Sequence, residues 1–175
     1  MTTNTNTQDP KKLMTILGTM GVSIAAAISG AFLVAPSEGY VNRTYLDPIN
    51  IVTACYGYTG PELKLGQQFT QDQCLRKLAD RLDVAEQGVN RVIKVPLNTY
   101  QKAALISFTY NVGEGNLSQS TLAKQFNQKQ YDKGCDSLLG WVYANKKKLA
   151  GLEARRKLER QMCLGQIGVS NVVSD

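Results

Sequence analysis

The sequence predicts an α+β fold, mostly helical with one small β-hairpin or sheet, preceded by an N-terminal membrane-inserting helix. Three observations carry this. An uncharged stretch of 23 residues runs from Leu13 to Ala35. A run rich in β-branched residues, Ile51-Val52-Thr53-Ala54-Cys55-Tyr56, follows the turn signal Pro48-Ile49-Asn50. Beyond it, two capping-box patterns, Thr70-x-x-Gln73 and Asn98-x-x-Gln101, open helical segments. Helices accompanied by one small sheet suggest the α+β class.

Residues 1–12 read as a polar cytoplasmic tail, rich in Thr and Asn and ending in Lys11 and Lys12. Residues 13–36 read as a transmembrane segment. As a helix, its uncharged part spans about 34 Å, enough for a hydrocarbon core of roughly 30 Å. The two lysines hold the N-terminus in the cytoplasm and place the rest on the far side. The preference for lipid is small. Leu13, Ile16, Leu17, Val22, Ile24, Ile28, Phe32, Leu33 and Val34 favour insertion by about 4 kcal/mol in total. Gly18, Gly21, Gly30, Thr15, Thr19, Ser23 and Ser29 add little or oppose it. Such a segment can leave a bilayer at modest cost. Two other readings stand beside this one. A cleaved signal peptide lacks its small-x-small site around Leu33-Val34-Ala35-Pro36. A buried core helix is the third.

Residues 37–168 form one domain, with 169–175 as a frayed C-terminal tail. The β-rich run and its turn make a hairpin or meander that can fold Asp47 and Thr53 back towards Glu38. A helix opens at Thr70 and runs to about Ile93 on Leu75, Leu78, Leu82, Ala85, Val89 and Val92, and Pro96 closes it. A second opens at Asn98 and ends near Gly113. Ser118 caps a short helix through Phe126. Residues 130–140 and 151–164 give two more, the last ending at Gly165.

The formal charge is +6. Only Asp9, Lys11 and Lys12 of the charged residues precede residue 37, so the domain alone is about +5. This suits an anionic partner such as a wall polymer or lipid, or is simply a solvated basic surface. Histidine is absent. That excludes His-assisted nucleophiles and His-ligated zinc, and catalysis must use carboxylates, hydroxyls, Cys or Lys. No two of the four cysteines are spaced as C-x-x-C, so no metal site is expected. They are either buried thiols or two disulfides with three possible connectivities. Proximity in sequence alone favours Cys55–Cys74 and Cys135–Cys163.

Glu38, Asp47 and Thr53 supply what glycoside hydrolysis requires: an acid for the leaving oxygen, a carboxylate for water or positive charge, and a hydroxyl to orient water. On chemistry alone the same residues read rather as surface carboxylates around a turn. The spacing of Glu38-Gly39, Asp47 and Thr53-x-x-x-Gly57 is similar to that of the phage-type lysozyme (muramidase) family. The likeness continues through Phe108-Thr109-Tyr110-Asn111-Val112-Gly113, Ser120-Thr121-Leu122 and Gly151-Leu152-Glu153-Ala154-Arg155-Arg156 with Glu159-Arg160. It covers about residues 37–165.

The resemblance implies a lysozyme-like fold with the sheet near the active site. It implies catalysis by Glu38, Asp47 and Thr53, and a peptidoglycan substrate cut between N-acetylmuramic acid and N-acetylglucosamine. Tyr58 and Asn111 are candidates for substrate contact. No cofactor and no nucleic-acid partner are expected, and the enzyme is expected to be a monomer. The N-terminal segment resembles that of the signal-anchor-release endolysins. This implies a catalytic domain in the periplasm, tethered to the host inner membrane through 13–36 and released on activation. Alternatives are a lytic transglycosylase and an anchored wall-binding module without turnover.

Many family members carry His five residues after the Thr, where this chain has Tyr58. Some anchored relatives replace the Asp with Cys and carry a further Cys in the anchor. Here Asp47 is retained and residues 1–54 hold no Cys, so restraint must come from position. Lys146, Lys147 and Lys148 with Arg155, Arg156 and Arg160 read as a solvated loop and helix face, with Arg155–Glu159 as an i, i+4 pair. Trp141, Tyr143 and Tyr45 could stack on sugars but read rather as core.

Overall fold

A computed structural model of the chain describes residues 9–47, 50–144 and 146–169. The polar tail to residue 8, the turn residues Pro48 and Ile49, and the end from 170 lie outside the described residues.

The N-terminal stretch is not one helix. Helix α1 (Pro10–Thr19) is capped by the Asp9 side chain and ends ahead of Gly21, which turns the chain at φ +87°. Ser23 caps α2 (Ile24–Ile28). A π-helical turn, Ser29–Val34, continues it into α3 (Ala35–Glu38). The wide turn lies directly before Pro36. It relieves the clash between a mid-helix proline ring and the preceding turn. Among the described residues no helix is long and apolar enough to cross a membrane. In this fold the stretch is divided into short helical pieces rather than one continuous helix. Leu13, Leu17 and the run from Ala25 to Val34 are buried in the same core as the rest of the chain. Gly30 shows how closely they fit: a β-carbon there would stand 2.6 Å from Leu82 Cδ1 and 2.7 Å from Leu17 Cδ1.

Strands β1 (Val41–Leu46) and β2 (Val52–Cys55) pair antiparallel, with Tyr45 opposite Thr53 and Leu46 opposite Val52. Asn50 takes the positive φ, +62°, that the turn demands. Residues 67–69 extend the other edge through Thr44 N–H to Gln67 O (3.0 Å) and Phe69 N–H to Asn42 O (2.7 Å).

Both capping boxes form. They open α4 (Gln71–Val92) at Thr70 and α5 (Thr99–Val112) at Asn98. Residues Ala103 to Tyr110 of α5 are all buried, as expected of a helix apolar on every side. It runs through the core against α2, the π turn, α4 and α9 (Ala150–Cys163). Between them, α6 (Glu114–Gln119) and α7 (Thr121–Asn127) replace the single helix expected from Ser118. Ser120 is the cap, accepting from Ala123 N–H at 3.0 Å, whereas the Ser118 hydroxyl donates to Gly115 O. Helix α8 (Tyr131–Ser137) leads into a 3₁₀ turn, Leu138–Gly140, and a small hairpin of β3 (Tyr143–Ala144) and β4 (Lys147–Lys148) that the sequence did not reveal. Disulfides join Cys55 to Cys74 and Cys135 to Cys163.

Candidate active site

Glu38 is the last residue of α3. Gly39, at φ +73°, stops the helix there, and its N–H still reaches Ala35 O at 3.0 Å. The carboxylate therefore sits where α3 gives way to the sheet. Its Oε1 accepts from Arg155 Nη1 at 2.5 Å, and the Glu38 side chain keeps 23% of its surface exposed. Its Oε2 faces Gly57: a β-carbon on that residue would lie 2.5 Å away, and Gly57 has φ +68°. Both the backbone and the approach require glycine there.

Asp47 and Thr53 meet at the main chain of Ile51. Ile51 N–H donates to Asp47 Oδ1 (2.9 Å), and Ile51 O accepts from both Asp47 N–H (3.0 Å) and the Thr53 hydroxyl (3.1 Å). Thr53 is buried. Tyr45 is paired with Thr53 across the sheet. Burial, then the charge of Glu38, then that of Asp47 push its hydroxyl pKa up. The hairpin thus sets both carboxylates within electrostatic reach of one phenol.

Arg155 and Arg156 are buried, which corrects the reading of a solvated basic face. Arg155 donates to Glu38, to Glu159 Oε1 (3.2 Å) and to Ser107 O (3.2 Å). Arg156 donates to Glu159 Oε1 (3.1 Å) and to Asn111 Oδ1 (3.0 Å), and its Nε pairs with Glu159 Oε2 at 2.9 Å. Ser107 donates to Glu159 Oε1 at 2.6 Å. Burial pushes the Glu159 carboxyl up, against the pull of both guanidinium groups and the Ser107 hydroxyl. Asn111 thus lies at the far end of a network that starts at Glu38. Tyr58 is engaged elsewhere: its hydroxyl donates to Glu62 Oε1 at 2.7 Å and Lys77 Nζ lies 4.0 Å from its ring centre. Arg160 pairs with Asp136 (2.6 Å) and Lys148 with Glu153 (2.9 Å). Trp141 packs edge-on against Phe108, 5.1 Å between ring centres, whereas Tyr143 is 64% exposed and not core. Among the described residues no cluster of His, Cys, Asp or Glu could hold a metal ion.

The model of the phage lysozyme family matches residues 35–159. The chain belongs to the phage lysozyme family. Membership makes it a peptidoglycan-hydrolysing enzyme with an endolysin role. The matched span begins at α3 and runs to Glu159, so it includes both ends of the charged network. The chain is 37% identical over 145 residues to the SAR-endolysin of Enterobacteria phage P21, covering 80% of this chain and 88% of that protein. It is 36% identical over 154 residues to the SAR-endolysin of Bacteriophage PS119, covering 81% and 92%. Its fold is similar to the crystal structure of the active form of P1 phage endolysin Lyz: TM-score 0.79, 24% identity, 91% and 96% of the two chains covered. It is also similar to the endolysin of Escherichia coli O157:H7 phage FAHEc1: TM-score 0.72, 27% identity, 79% and 92% covered.

Sequence reasoning missed the buried role of Arg155, Arg156 and Glu159, although a signal existed. Leu152, Arg155, Arg156, Glu159, Met162 and Cys163 recur at the three-to-four spacing of one helix face. All but the half-buried Leu152 are buried.

Proposed function

We propose that the chain is a phage endolysin acting as a muramidase. It would hydrolyse the β-1,4 bond between N-acetylmuramic acid and N-acetylglucosamine and so cause host lysis. The observation that carries this is the fixed Glu38 carboxylate, tied by Arg155 and backed by Gly57, at the edge of the hairpin holding Asp47 and Thr53. Glu38 delivers a proton to the leaving oxygen. Oε1 is occupied by Arg155, so Oε2, against Gly57, is the oxygen that carries the proton. Asp47 stabilises the oxocarbenium-like state or assists water, and Thr53 orients that water. The Thr53 hydroxyl proton is used on Ile51 O, which leaves its lone pairs to accept from water. Tyr58 and Asn111 remain candidates for substrate contact at the margins of the site. The enzyme acts as a monomer.

Residues 13–36 would have two lives: across the host inner membrane before activation, with the catalytic domain in the periplasm, and in the protein core after release. The names of the SAR-endolysin relatives support this, as does the small lipid preference of the segment. Glu38 terminates the helix that would have to leave the bilayer, so the tethered form would lack a placed acid. A Glu38→Gln protein on a peptidoglycan zymogram tests the chemistry. Loss of clearing is expected, and retained clearing would overturn the mechanism.

A further inference from the structure

The turn that backs Glu38 is held from outside. Cys55 (φ +58°) and Gly57 (φ +68°) both take the left-handed conformation, which a β-carbon disfavours at Cys55. Ala54 and Tyr58 close the base with mutual hydrogen bonds of 3.0 and 2.8 Å. Three bonds then fasten the turn to the helices behind it. The Cys55–Cys74 disulfide and the bond from Arg81 Nη1 to Gly57 O (2.7 Å) run to α4, and the Tyr110 hydroxyl of α5 donates to Tyr56 O (2.8 Å). The last two are linked. The Arg81 guanidinium carbon lies 4.3 Å from the centre of the Tyr110 ring, and Nη2 reaches Tyr110 O at 3.4 Å.

We propose that Arg81 is a positioning residue for Glu38, acting through the Gly57 turn; this rests on the reading of Glu38 as the acid. One arginine holds the carboxylate directly and a second holds the turn against which it rests. Arg155 binds Oε1 directly, and Arg81 fixes the carbonyl of the residue on which Oε2 rests. A charge-assisted bond to a single carbonyl, with the guanidinium stacked on a ring, is strong and directional. Without it the turn is free to relax from its left-handed geometry, and Glu38 loses the wall that sets the direction of its proton. Arg81 serves orientation in the reaction rather than substrate affinity, and a small misplacement of an acid is costly in rate.

The test is kcat and KM on soluble peptidoglycan fragments for the wild type, Arg81→Met, Arg81→Lys and Glu38→Gln. Arg81→Met is expected to lower kcat about ten- to a hundredfold with KM within about twofold. Arg81→Lys should recover part of the loss. If Arg81→Met does not fold, Arg81→Lys and Tyr110→Phe decide. Each should fold and show a smaller drop in kcat at unchanged KM. Wild-type kcat in the folded Arg81 variants, or a loss confined to KM, beside an inactive Glu38→Gln would overturn the role of Arg81 alone. Full activity in Glu38→Gln would overturn the assignment of the acid and this proposal with it.

Discussion

Glu159 carries more of the site than its distance from solvent suggests. It is wholly buried, and it is the counter-charge for Arg155 and Arg156. Removing it leaves Arg156 buried without a carboxylate partner and Arg155 with Glu38 alone. Glu159→Ala is expected to destabilise the protein by about 3–5 kcal/mol in urea unfolding, and a loss below about 1 kcal/mol would show that water or other groups replace it. Tyr110 makes a pH-dependent prediction. Burial pushes its hydroxyl from 10.0 up to about 12. The folded chain therefore keeps a proton that the unfolded chain gives up above pH 10. The contribution is complete below pH 10 and is lost as pH climbs through about 12. Between those values unfolding free energy should fall more steeply in the wild type than in Tyr110→Phe, by up to about 2–3 kcal/mol; parallel curves would contradict it. Glu38, Asp47 and Thr53 could be proposed from sequence because their spacing resembles that of the phage-type lysozyme family. The burial of Arg155 and Arg156 was not legible, because charged residues default to the surface and only the fold places two of them in the core.

The helices that announce themselves by local chemistry are those the sequence predicts best. Thr70 and Asn98 both satisfy a capping box, and the side-chain and backbone bonds both form. The cap expected at Ser118 falls instead on Ser120, whose hydroxyl is buried. The hairpin of β3 and β4 has two residues per strand and three lysines, too little pattern to read. The N-terminal segment is the instructive case. Gly30 looks like a residue that weakens insertion, yet in the fold it is a packing requirement between α1 and α4. Gly30→Leu should destabilise the fold by about 1–3 kcal/mol through overpacking. It should also raise the share of protein retained in the membrane, since leucine favours lipid. An unchanged melting temperature and unchanged partition would show that the segment does not pack as described.

At the scale of the whole molecule, a membrane segment and a core helix are drawn from the same apolar residues. Both environments remove them from water, so moving between them need not forfeit hydrophobic burial. This is why residues 13–36 were legible as apolar and helical while their destination was not. In the fold, Gly21 breaks the stretch, a π turn lies ahead of Pro36, and α3, into which the stretch runs, ends at the proposed acid Glu38. If the segment leaves a membrane as proposed, release and assembly of the active site would be one event. The direct measurement is peptidoglycan hydrolysis per mole of full-length protein in membrane and soluble fractions, taken before and after membrane depolarisation. Coupled release and assembly predict little hydrolysis from the membrane fraction, and high hydrolysis from full-length protein that moves to the soluble fraction on depolarisation. Full hydrolysis by protein still in the membrane, or full-length protein that never leaves it, would contradict that coupling.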